Sequence, residues 1–324
     1  MHAQGAPVTS APLAGRLDGL LFFPVTAYGP DGALDVDVFR AHVRAGIEDG
    51  AAAVFACCGT GEFHALTPRE FRTCVAAAVE EAAGRVPVVA GAGYGTALAV
   101  QFARAAEEAG ADGLLAMPPY LVAADQRGLL RHYTELAAAT SLDVIVYQRD
   151  NAVLTPGTVV ELARVPGVIG LKDGHGDLGL MQRTICAVRG ELPPGHPFLY
   201  VNGLPTAELT ALAYRGIGVT LYSSAVFSFA PDIALAFHRA LGSGDEGTVN
   251  RLLDGFYAPL VALRGLGPGY AVSLVKAGVR LTGLDVGEVR PPLSEPDPAH
   301  VKMLAELVER GRALAGAPGG GGRA

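Results

Sequence analysis

From residue 18 onward one pattern recurs eight times: a short apolar run, a Gly-, Pro- or polar-rich loop, then an Ala/Leu/Arg/Glu stretch of helical period. The apolar runs are 19–24, 52–57, 86–90, 113–117, 144–147, 168–172, 198–201 and 218–221. The helical stretches are 36–49, 68–83, 97–109, 126–139, 156–164, 177–189, 205–214 and 231–241. Thr67-Pro68 and Thr155-Pro156 each place an N-cap before a proline at the first helical position. Near-continuous apolar strands suit a parallel sheet buried on both faces. Eight units of about 25–30 residues fit an α/β fold of the (β/α)8 TIM-barrel type better than a doubly wound sheet.

The alternation stops after residue 242, where helical patterns at 245–264, 268–282 and 299–315 follow, the last two joined by a proline-rich link at 291–298. The expected organisation is a barrel over 16–243 and a C-terminal helical appendage over 244–315. Tails at 1–15 and 316–324 are expected to be disordered. At 324 residues, 50% apolar and 18% charged, the chain has enough apolar surface for one large core. A net charge of −7 with no basic cluster argues against a nucleic-acid surface. Cys57, Cys58, Cys74 and Cys186 form no C-x-x-C pair and read as small buried residues of a reduced, cytoplasmic protein. The first fifteen residues lack the charged-then-apolar order of a signal peptide, and no apolar run is long enough for a membrane span.

In such a barrel, chemistry sits where strands end and the βα loops begin. The strand-end residues are therefore Thr26; Gly59, Thr60, Gly61 and Glu62; Gly91 to Gly95; Tyr120; Tyr147, Arg149 and Asn151; Lys172 and Asp173; Asn202 and Gly203; and Tyr222, Ser223 and Ser224. Lys172 stands out, because the chain has three lysines against twenty-two arginines and this one closes the run Val168-Ile169-Gly170-Leu171. An amine held against an apolar interior is desolvated, which favours its neutral form. A neutral amine attacks a ketone to give a Schiff base. The same pattern also fits a strand-end lysine turned to solvent.

The neighbouring motifs carry paired readings too. Cys58-Gly59-Thr60-Gly61-Glu62 brings backbone amides and a hydroxyl toward an anion such as a 2-keto-acid carboxylate, or is a plain tight turn. Tyr147 is a proton shuttle or a core tyrosine whose hydroxyl is satisfied at the rim. Arg149 holds a carboxylate bidentately or makes a surface ion pair. Gly91-Ala92-Gly93-Tyr94-Gly95 lacks the G-x-G-x-x-G spacing of dinucleotide sites. No metal-ligand spacing appears among the eight histidines, and there is no G-x-S-x-G elbow.

Taken together, Gly59-Thr60-Gly61-Glu62, Tyr147 and Gly170-Leu171-Lys172-Asp173-Gly174 resemble, in order and spacing, the dihydrodipicolinate synthase and N-acetylneuraminate lyase family of Schiff-base-forming barrels, over roughly residues 17–315. The resemblance implies catalysis by Lys172 as the Schiff-base lysine and Tyr147 as the proton shuttle. It also implies Thr60 and the neighbouring backbone amides of Gly59 and Gly61 as holder of the keto-acid carboxylate. No metal or organic cofactor is implied. A homotetramer, a dimer of dimers, is implied as well, with Tyr120 at the position where a tyrosine crosses the dimer interface.

Finer motifs resemble a branch of that family that dehydrates and decarboxylates a keto-deoxy sugar diacid. They are Phe22-Phe23-Pro24-Val25-Thr26, Pro118-Pro119-Tyr120-Leu121, Tyr147-Gln148-Arg149-Asp150-Asn151 and Tyr222-Ser223-Ser224-Ala225-Val226-Phe227. Gly59 departs from the synthases, which carry a relay threonine there. The Gln-Arg-Asp-Asn after Tyr147 replaces their Asn-x-Pro and changes how the distal end of a substrate is held. Arg149, Asn151, Asn202 and Ser223 are the candidates for that task. Two other readings stay open: a class I aldolase or synthase acting on a pyruvate-type 2-keto acid, and a non-catalytic keto-acid-binding barrel.

Overall fold

The computed structural model describes residues 12–316. Eight parallel strands close into a barrel in chain order. They are β1 (Leu21–Phe22), β2 (Ala53–Ala56), β3 (Val88–Ala92), β4 (Gly113–Ala116), β5 (Asp143–Gln148), β6 (Val168–Asp173), β7 (Leu199–Asn202) and β8 (Leu221–Ser224). Helices connect them on the outside, and the expected (β/α)8 architecture is the one observed. The caps at Thr67 and Thr155 form, Thr67 as a full capping box with Glu70. The last strand lies three residues beyond its expected place. Gly218 turns at φ +89° and the Val219 amide bonds back to the Tyr214 carbonyl, so 218–220 finish the preceding helix turn before pairing with β7 begins.

Side chains alternate between the barrel interior and the helix layer, as the two-residue strand period requires. Leu21, Ala53, Phe55, Val89, Leu115, Ile145, Tyr147 and Val201 pack inside. The interior is filled from below by Leu13 and Leu17. Leu13 belongs to the short helix Leu13–Arg16 and is 3% exposed. The stretch expected as an N-terminal tail thus contributes a core residue, Leu13, because a barrel's open base needs an apolar stopper. Residues 1–11 of that tail and residues 317–324 lie outside the described residues.

Beyond the barrel helix Pro231–Ser243, the chain runs through Glu246–Leu252, a π-helical turn Leu253–Tyr257, Ala258–Arg264, Tyr270–Leu281 and Pro298–Gly316. The first three were expected as one helix. Pro259 has no N–H to give to the preceding turn, and the widened π turn just before it absorbs that loss. Among the described residues no helix is long and apolar enough to cross a membrane.

The C-terminal helices are wired into the barrel's β2 loop. Lys276 Nζ and Glu62 Oε1 lie 2.8 Å apart, both side chains fully buried. The Arg290 amide donates to Glu62 Oε2 at 2.8 Å. The Tyr28 ring lies between the two cations, 4.0 Å from the Lys276 amine and 4.1 Å from the Arg290 guanidinium carbon.

Candidate active site

Lys172 and Tyr147 are paired neighbours on β6 and β5, both pointing into the barrel mouth. Lys172 is 5% exposed and Tyr147 8%. The lysine therefore does not turn to solvent. Its amine sits 3.8 Å from the centre of the Tyr147 ring and 5.4 Å from that of Phe23. Both groups converge on one acceptor, the Gly203 carbonyl, which takes the Tyr147 hydroxyl at 3.1 Å and the lysine amine at 3.4 Å.

Two glycines make this contact possible. A Cβ on Gly203 would fall 2.6 Å from Lys172 Cγ and 2.7 Å from its amine; one on Gly174 would fall 2.7 Å from the Tyr147 ring. Beneath the lysine, Phe23 stacks on Phe55 with ring centres 4.6 Å apart. Burial pushes the Cys58 thiol up to about 12, only partly opposed by the Lys172 charge, so this cysteine is a neutral wall and not a nucleophile.

Lys172 and Tyr147 open into a cavity of about 370 Å³, also lined by Gly59, Thr60, Arg149 and Ser223. Cys57 and Glu62 bracket the Gly59–Thr60 turn, both with left-handed backbones (φ 53° and 55°) that non-glycine residues adopt only when their surroundings impose them. The buried Glu62–Lys276 pair and the Thr26 hydroxyl, which donates to the Gly61 carbonyl at 2.6 Å, supply that constraint. Arg149 Nε lies 3.0 Å from Asp150 Oδ2. Burial works against its guanidinium charge, but Tyr147 and Asp150 outweigh burial and leave its pKa raised.

Four expected residues are not brought to the cavity of this chain. Gly61 packs behind the turn against the Pro24 carbonyl. Asn151 donates to the Pro119 and Val122 carbonyls at 2.9 and 2.7 Å, pinning the loop before helix Gln126–Ala138. Tyr120, on that loop, is 62% exposed and faces Tyr94 across 6.0 Å. Asn202 is aligned with Asp173, one residue out of phase with Lys172, and points into the helix layer. There it donates to the Ala207 carbonyl and the Thr210 hydroxyl. Asp173 likewise faces outward, accepting from Gln148 at 2.8 Å, from the His175 amide at 2.9 Å and from the Tyr214 hydroxyl.

The sequence reading missed Arg264 and Thr206, which line the same cavity. Arg264 ends helix Ala258–Arg264, outside the barrel's strand-end pattern, and its guanidinium donates to the Thr206 hydroxyl. Its only signal in the sequence is a lone cation closing an apolar helical run before the turn Gly265-Leu266-Gly267.

The model of the dihydrodipicolinate synthetase family matches residues 16–310. A Streptomyces griseus protein named "probable 5-dehydro-4-deoxyglucarate dehydratase" is 76% identical, covering 95% of this chain and 97% of its own. A Rhizobium rhizogenes protein of the same name is 45% identical over 91% of this chain and 96% of its own. Among solved structures, dihydrodipicolinate synthase from Bacillus clausii superposes with a TM-score of 0.84 at 26% identity, covering 92% of this chain and 99% of that one.

Proposed function

The chain belongs to the dihydrodipicolinate synthetase family, and from that premise we propose that it is a decarboxylating hydro-lyase converting 5-dehydro-4-deoxyglucarate to 2,5-dioxopentanoate, CO2 and water. The observation that carries the reading is the buried Lys172 amine over the Tyr147 ring, both anchored on the Gly203 carbonyl at the floor of a cavity. The names of the similar proteins supply the substrate.

In this scheme the neutral Lys172 amine adds to the substrate ketone and water leaves, giving an iminium that withdraws electrons from the adjacent carbon. A base, Tyr147 as phenolate or a water beside it, removes a proton from the neighbouring CH2 to give an enamine. The enamine expels the hydroxyl one carbon further along as water, and the iminium becomes conjugated. The far carboxylate leaves as CO2, its electron pair entering that extended sink. The resulting enol–enamine takes up a proton on each of the two carbons between its ends while the enol gives up its hydroxyl proton to become the aldehyde, and hydrolysis of the iminium returns the ketone and the lysine.

Gly59 and Thr60 hold the carboxylate beside the ketone, and Arg149 and Ser223 face the distal one. We assign the working enzyme to the cytoplasm, in keeping with its four free cysteines, three of them buried. We also assign it a homotetrameric state in which Tyr120 serves a neighbouring subunit. The test is borohydride reduction in the presence of substrate, with mass spectrometry and CO2 measurement. An adduct on Lys172 with CO2 evolved, both lost in Lys172→Ala, supports the proposal. An adduct without CO2 moves the function to aldolase-type chemistry, and an adduct without turnover of any kind to a binding barrel.

A further inference from the structure

We infer that Arg264, carried on the C-terminal helix Ala258–Arg264 and seated on Thr206 of the loop after β7, binds the distal carboxylate of the substrate and sets a preference for 2-keto diacids over 2-keto monoacids. The inference rests on the diacid-lyase reading above. Three basic side chains line the cavity, Lys172, Arg149 and Arg264, and among the described residues no aspartate or glutamate lines it with them. Such a wall suits a doubly anionic ligand. Lys172 is committed to the ketone, and the carboxylate beside the ketone lies at the Gly59–Thr60 turn.

Of the two remaining cations, Arg149 already has a carboxylate partner in Asp150 at 3.0 Å. Among the described residues Arg264 has only the Thr206 hydroxyl, which occupies one of its five donors and fixes its direction. Glu208 is the acid whose charge acts on it most. That carboxyl is fully buried, accepts from the Ser224 hydroxyl, and is pushed by burial up to about 7, so it does not act as a full counter-ion. Burial and the nearby Arg149 charge both oppose the Arg264 cation, an unfavourable arrangement that an anion placed between the two guanidiniums relieves.

The reach is right. Thr206 is three residue steps along the chain from Gly203, which touches the lysine amine, so the clamp lies within about 11 Å of that carbonyl. A six-carbon chain with C–C bonds near 1.5 Å extends roughly 6 Å, and the arginine side chain covers the rest. Arg264 is a binding residue in this account and not a source of rate. The carboxylate it holds loses its charge as CO2 departs, so the contact is no stronger in the transition state than in the bound substrate.

The test compares borohydride trapping at Lys172 with pyruvate, which has one carboxylate, and with 2-oxoadipate, a six-carbon 2-keto diacid, using the full-length enzyme. For Arg264→Met the expected result is a roughly 10- to 100-fold rise in half-saturation for 2-oxoadipate, against less than threefold for pyruvate. With substrate, KM rises by a similar factor while kcat stays within about threefold. Equal weakening of both acids, or an unchanged 2-oxoadipate curve, overturns the inference. Failure of the wild type to trap either acid instead removes the Schiff-base reading beneath it. Should Arg264→Met trap nothing, Arg264→Lys decides. A selective loss for 2-oxoadipate then supports the clamp, and parallel behaviour of the two acids refutes it.

Discussion

Replacing Gly203 with alanine tests the core of the site without touching a functional side chain. The added Cβ would lie 2.6 Å from Lys172 Cγ, 2.7 Å from its amine and 3.0 Å from the Asp173 carbonyl, where ordinary contacts begin at 3.4 Å. The lysine stem must retreat by about 0.8 Å, or the Gly203 carbonyl must swing away and release both the amine and the Tyr147 hydroxyl. A misplacement approaching 1 Å costs on the order of 100-fold in rate, and overpacking a filled site costs about 1–3 kcal/mol of stability. Steady-state kinetics and urea unfolding read the two effects separately. Gly203→Ala is expected to drop kcat/KM by about two orders of magnitude while the protein stays folded. A variant with kcat/KM within twofold of wild type would refute the claim that this carbonyl positions the lysine–tyrosine pair.

The other expectations concern the buried charges. Lys276→Met leaves the Glu62 carboxylate fully buried without its cation; this should cost about 3–5 kcal/mol in urea unfolding, and a loss below 1 kcal/mol would contradict it. The Glu62→Gln/Lys276→Met double variant should lose less than the sum of the single variants. For Glu208, burial raises the folded-state pKa from 4.5 to about 7. Its stabilising contribution is therefore fully present below about pH 4.5 and is lost as the pH rises through 7. Glu208→Gln should accordingly raise Tm relative to wild type more at pH 8.5 than at pH 5.5, and an equal shift at both would count against the assignment. Glu70 has the opposite sign. Hydrogen bonding from Arg290, more than the Thr67 cap, pulls its pKa down to about 2, so its contribution is present above about pH 4.5 and lost as the pH falls toward 2. Arg290→Met should flatten the acid limb of the stability curve between pH 5 and 3, and an unchanged limb would show that Glu70 does not set it.

The barrel was legible because parallel strands buried on both faces must be near-continuously apolar, and eight such runs separated by capped helices have few other solutions. Lys172, Tyr147, Thr60 and Arg149 were legible for a related reason, since each stands at or just past a strand end. Parity accounts for one expectation the structure does not meet. Asn202 stands at a strand end too, but one residue beyond Val201, the neighbour of Lys172 across the sheet; a single step along a strand exchanges interior for exterior. Asn151 went to the carbonyls of a neighbouring loop, a long-range pairing that local patterns do not encode. Arg264 and Lys276 could not be placed from spacing at all. Their partners Thr206 and Glu62 are 58 and 214 residues away in the chain, and only the packing of the C-terminal helices brings them together.

The tie between the β2 turn and residues 276 and 290 also has a consequence in time. The ribosome makes the chain in order, so Lys172 leaves it 118 residues before Arg290, the residue whose amide helps hold Glu62. At about 5–20 residues per second that interval is roughly 6 to 24 s. For most of it the growing chain also lacks Arg264 and the Lys276 contact to Glu62, and for all of it the Arg290 contact. The contacts that hold the Gly59–Thr60 turn are therefore complete only once residue 290 has been translated.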